Sequence, residues 1–162
     1  MRVLSVAVCV VWLGWSGSAL AADEPIKIFG LDKLHWGMSA EDAVKALPAL
    51  KPAGGGGLLT ARGYVYGGCK FSLDGEVDGG RLVAITITSN TDDPDCPLNI
   101  KAMIDDAYGL PYDSNTLNDG ITYGWKKGST RIDSTQSPLL DYNHAKVEMW
   151  EEAPPPPPAK AA

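Results

Sequence analysis

With 162 residues and a net charge of −6, from 20 acidic against 14 basic side chains, the chain is long enough for one domain with a real core. That acidity, with no basic stretch interleaved with aromatics, excludes nucleic acid as an expected partner.

Residues 1 to 21 read as a secretory signal: Arg2 is the positive end, Val3 to Leu13 the apolar run and Ala19-Leu20-Ala21 the small-residue cleavage pattern. Gly14, Ser16, Gly17 and Ser18 break the run short of the roughly 20 residues a span needs, so no membrane span is expected. Cys9 lies inside the run rather than behind small residues at its end, which argues against a lipid-modified cysteine. Cleavage removes one basic residue, leaving 13 basic against 20 acidic, a charge of −7. The expected destination is periplasmic or secreted.

Cys69 and Cys96 then remain, in a compartment that oxidises thiols, and are expected to pair. Such a loop closure stabilises a fold by about 3–4 kcal/mol on the chain-entropy model. The rival reading, a reactive thiol or metal ligand, lacks partners: the histidines are His35 and His144 alone. No metal and no cofactor are expected.

In chain order, Ile26, Ile28, Phe29 and Leu31 form a short extended stretch before a Trp36-Gly37 turn. A helix follows over residues 39 to 47, capped reciprocally by Ser39 and Asp42 and stopped before Pro48. Pro52-Ala53-Gly54-Gly55-Gly56-Gly57 reads as a flexible loop, lacking the Lys-Ser/Thr of a phosphate cradle. From residue 63 the period becomes two. Tyr64 and Tyr66, then Cys69, Phe71 and Leu73, then Val83, Ile85 and Ile87 after the Asp78-Gly79-Gly80 turn, predict three strands.

Thr91-Asp92-Asp93-Pro94-Asp95 reads as an acidic helix start rather than a calcium loop, with Pro97 at the first helical position. Ile100, Met103, Ile104, Ala107 and Tyr108 give the helix its apolar stripe, ended by Gly109 and Pro111. After a polar connection, residues 121–125, 130–133 and 145–150 predict three more strands. Pro154 to Pro158 belong to a Pro-rich tail expected to be disordered.

The two halves share an order of helix, break and three strands. The expected fold class is therefore α+β: a two-layer, about six-stranded antiparallel sheet with two helices packed on one face, built from two α-β-β-β repeats. The expected domains are a signal peptide over 1–21, a single α+β domain over 22–152 and a tail over 153–162. Repeat one covers 30–90 and repeat two 91–152.

Trp36-Gly37-Met38-Ser39 with Val44 and Leu47, and Tyr108-Gly109-Leu110-Pro111 with Trp125, carry a resemblance over residues 30 to 151. The chain resembles the SmpA/OmlA outer-membrane assembly lipoproteins and the tandem modules of β-lactamase inhibitor proteins. The resemblance implies a protein-binding module rather than an enzyme, and the inhibitors grip their target with a concave sheet surface. The chain departs from the lipoproteins in lacking a lipid-attachment cysteine, and it has no identifiable inhibitory loop.

One helix-covered sheet face leaves the other open. Lys70, Ser72, Thr86, Thr88, Arg131, Asp133, Lys146, Glu148 and Trp150 are expected on it, and a polar face with Arg and Trp suits docking a protein. The binding set is Lys70, Thr86, Thr88, Arg131, Lys146, Glu148 and Trp150, and the partner class is another periplasmic or cell-envelope protein. An inhibitor or immunity protein steered by its acidity towards a basic secreted hydrolase is the alternative. A periplasmic enzyme is the remaining one, and its candidates are weak: Ser39 caps a helix, both cysteines pair, His144 beside Asp141 sits in a turn, and Glu76 with Asp78 and Asp105 with Asp106 solvate a hairpin and a helix. No catalytic residue is assigned.

Overall fold

The computed structural model describes residues 24–55, 57–89, 95–117, 120–136 and 145–152. The segment expected to be a secretory signal, residues 91–94 of the expected acidic helix start, Asp141, His144 and Pro154 to Pro158 lie outside them.

Helix α1 spans Ala40–Ala46, and strands β1 (Lys51–Ala53), β2 (Leu58–Tyr66), β3 (Cys69–Asp78) and β4 (Arg81–Ser89) follow it. Helix α2 spans Asp95–Tyr108, followed by β5 (Asp113–Leu117), β6 (Gly120–Lys127), β7 (Thr130–Gln136) and β8 (Ala145–Glu151). All eight strands form one antiparallel sheet in the order β1-β2-β3-β4-β8-β7-β6-β5. The last strands of the two halves meet in the middle, with Ile85 opposite Met149 and Ile87 opposite Val147.

This corrects the expected six-stranded sheet of two α-β-β-β repeats: each helix is followed by four strands. The two strands missing from that expectation are the two edges. Pro52 and Ala53, expected in a loop, pair together with Lys51 against residues 58–60, so Gly54, Gly55 and Gly57 lie in a hairpin connection rather than a free linker. Pro52 is tolerable there because an edge strand can leave one side of its backbone unpaired. Residues 113–117, expected in a polar connection, pair with residues 120–124.

The two helices are not the whole cover of the sheet either. Helix α1 has seven residues and buries only Ala43. Irregular chain before it buries Ile26, Ile28, Phe29, Leu31, Leu34, Trp36 and Met38 in the same core as Phe71, Leu73, Ile87, Val147 and Ile132. This strap is tied to both halves. Tyr64 Oη donates to the Phe29 carbonyl at 2.8 Å, and Trp36 Nε1 donates to Thr130 Oγ1 at 2.8 Å. The Phe29 ring meets the Phe71 ring edge-on at 5.2 Å. Gly30, at φ +69°, is required where the strap turns under Tyr64, because a Cβ there would stand 2.6 Å from the tyrosine oxygen.

The cap of α1 also differs from expectation in one bond. The Ser39 hydroxyl accepts from the Asp42 amide, as expected, but Asp42 accepts from that hydroxyl at 2.8 Å instead of reaching the Ser39 amide. In β4 a register shift between Glu76 and Val77 pairs Val77 with Leu82 and Glu76 with Ala84. The bulge turns Leu82 into the core and leaves Val83, expected inside, half-exposed. Pro97 is the third residue of α2 rather than the first, still within the turn whose amides lack intrahelical acceptors.

The disulfide joins Cys69 to Cys96 as expected, with Cα atoms 5.8 Å apart, tying the start of β3 to the first turn of α2. At the far end of α2, Trp125 Nε1 donates to Asp105 Oδ1 at 3.1 Å and to the Gly109 carbonyl at 3.0 Å. Among the described residues, no helix is long and apolar enough to cross a membrane.

Candidate functional site

Because side chains alternate along a strand, burying Ile85, Ile87, Val147, Met149, Ile132 and Ser134 on one face sends their neighbours to the other. There the register lays out rows across β4, β8 and β7. Ala84, Trp150 and Arg131 form one; Thr86, Glu148 and Asp133 the next; Thr88, Lys146 and Thr135 the third. Six of the seven expected binding residues, Thr86, Thr88, Arg131, Lys146, Glu148 and Trp150, are therefore contiguous. Lys70 stands apart, exposed at the start of β3, two residues before the Ser72 that faces Thr88.

Arg131 is the centre of the cluster. Its guanidinium carbon lies 5.5 Å from the Trp150 ring centroid and 5.6 Å from that of Tyr112. It forms an ion pair with Asp133, whose Oδ1 lies 3.6 Å from Nε, too far for a hydrogen bond, and Nε is buried with no hydrogen-bond partner among the described residues. Two ring contacts also hold the group, each worth about 0.5–1 kcal/mol at a partly exposed site. Tyr112 lies across the sheet over Gly124, where a Cβ would meet the tyrosine ring and Asp133 Oδ1 each at 3.5 Å, an ordinary van der Waals contact.

Tyr112 was absent from the expected set because it falls in the segment read as a connection. A signal was available: it lies four residues past the end of α2 and directly before the Asp113-Ser114-Asn115 run, and an aromatic there is strand-like.

Three further ion pairs lie on or beside this face. Lys146 Nζ lies 2.6 Å from Glu148 Oε1, Arg62 Nη2 lies 2.8 Å from Asp74 Oδ1, and Lys126 pairs with Glu152. Lys126 holds the Glu152 carboxyl below its ordinary pKa, mainly through their hydrogen bond. Across β6 and β7, the Thr122 and Thr135 hydroxyls meet at 3.1 Å. The chain's net acidity is therefore not concentrated on this surface.

Four of the groups considered for catalysis have other partners. Ser39 is bonded to Asp42, Asp105 accepts from Trp125 and Lys101, and Cys69 and Cys96 are joined. Glu76 faces Ala84 on an exposed strand position, and Asp78 faces Arg81 at a hairpin end. Among the described residues, no group of three or more His, Cys, Asp or Glu side chains is arranged to hold a metal ion.

No protein-family model matches the chain. No curated protein matches it either. Among solved structures it is similar to a DUF4309 family protein (YjgB) from Bacillus subtilis subsp. subtilis str. 168, at 11% identity and a TM-score of 0.46, over 70% of this chain and 78% of that one. A likeness of that strength carries no argument about what the chain does.

Proposed function

We propose that this chain is an exported, non-catalytic protein-interaction module that docks another cell-envelope protein on the open face of its sheet. The observation that carries this reading is Arg131, held between the Tyr112 and Trp150 rings, its Nε without a hydrogen-bond partner among the described residues. Arginine and large aromatics supply a disproportionate share of interface anchors, and a guanidinium already stacked loses less freedom on binding. Export rests on residues 1 to 21, and the resemblance to the outer-membrane assembly lipoproteins and β-lactamase inhibitor proteins supports binding over catalysis. The inhibitor alternative draws on charge steering towards a basic enzyme, and the paired charges of the open face favour the broader reading over it.

The test is a set of photo-crosslinking side chains placed singly at Thr86 and Trp150, with Lys33 on the strap as control, in living cells. The same adduct should form at positions 86 and 150, be missing at 33 and disappear when Thr86 is probed in the Arg131→Ala protein. Equal adducts at all three positions, or none on the open face, would remove this surface from the reading.

A further inference from the structure

The two edges of the sheet are unlike. Strand β1 has three residues, one of them Pro52 and another Lys51, which are ordinary ways to keep an edge from pairing. Strand β5 has five residues, no proline and no lysine, and residues 113–116 are exposed. Among the described residues nothing pairs with its outer side. Leu110, shortly before it, is 83% exposed, and Ile121, opposite Thr116 on β6, is 37% exposed.

We infer that β5 pairs with β5 of a second copy of this chain, antiparallel and centred on Asn115, so that the two sheets become continuous. The residue pattern is self-complementary in that register. Asn115 meets its own copy, Ser114 meets Thr116, and Asp113, the only charged residue of the strand, falls opposite Leu117 instead of opposite itself. No like-charge pair is created, whereas two copies of β1 centred on Pro52 would lack an amide donor at the axis. The pairing satisfies the backbone groups on the outer side of β5. It leaves the rows on β4, β8 and β7 free, so it stands independently of the docking reading above.

Sedimentation velocity of the purified protein, from micromolar to millimolar concentration, should show reversible exchange between monomer and dimer. Asn115→Lys sets two like charges against each other on the axis and should weaken association by about tenfold or more while leaving the thermal melt of this exposed position unchanged. Directly opposed residues of an antiparallel pair have Cα atoms about 4.5–5.5 Å apart, within disulfide reach, so Asn115→Cys should give a covalent dimer under mild oxidation and Lys33→Cys should not. A protein that stays monomeric throughout, a dimer indifferent to Asn115→Lys, or Asn115→Cys linking no faster than Lys33→Cys would each overturn the inference.

Discussion

Along β3, β4, β7 and β8 the two faces of the sheet differ by a single step in sequence and by nearly everything else. Phe71, Leu73, Ile87, Ile132 and Val147 are fully buried, while Ser72, Thr88, Arg131, Lys146 and Glu148 beside them are half-buried or exposed. The buried face is held by area and shape, because each side chain there meets the strap, a helix or another strand. The open face is held by ion pairs and ring contacts that water competes with, each worth about 1 kcal/mol or less. Stability thus sits on one side of these strands and the proposed recognition on the other, and substitutions should separate them.

The largest effect is expected at Phe71→Ala, which empties the site filled against Phe29 and should cost about 3–5 kcal/mol in denaturant unfolding. Thr86→Ala, on the other face of the same sheet, should stay within about 0.5 kcal/mol. Equal losses at the two positions would break the division between the faces.

Next comes the covalent tie. Replacing Cys69 and Cys96 together by alanine should lower stability by about 2–5 kcal/mol, read by the shift of the unfolding midpoint. Native-state hydrogen exchange should show α2 losing protection ahead of β4 and β8, because the bond secures that helix's first turn.

Trp125→Phe keeps most of the buried ring but removes the donor shared by Asp105 and the Gly109 carbonyl, leaving two acceptors short of a partner. About 1–3 kcal/mol should be lost. A loss no greater than that of a surface substitution would show that water replaces the indole there.

Arg131→Ala should change stability by less than about 1 kcal/mol, since its contacts are partly exposed. Its proposed effect is on partner capture alone. If capture is unchanged while stability falls by several kcal/mol, the guanidinium belongs to the architecture and not to recognition.

The smallest effect is expected in acid. Lys126 holds Glu152 below the ordinary glutamate pKa, so the contribution of their pair is complete above the unfolded value and fades as pH falls through the lower folded one. The melting curve of Glu152→Gln should therefore converge with that of the native protein only at the acid end of a pH series.

The amino-acid sequence alone determined what depends on local periodicity and short-range chemistry. Ser39 marked the start of α1, the stripe from Ile100 to Tyr108 marked α2, and alternation in residues 145–150 placed Lys146, Glu148 and Trp150 opposite Val147 and Met149. The two cysteines could be paired because few other roles were open to them. What alternation cannot reveal is a strand with no buried face to write it, and that is why Lys51–Ala53 and Asp113–Leu117 were invisible until their partners lay beside them. The same holds for the strap, whose apolar residues at 26, 28, 29, 31, 34, 36 and 38 keep no single period throughout and find their places against the completed sheet. Only the tertiary structure could bring Tyr112 over Gly124 to meet Arg131, because that contact depends on strand register, a long-range property set by the packing of the opposite face.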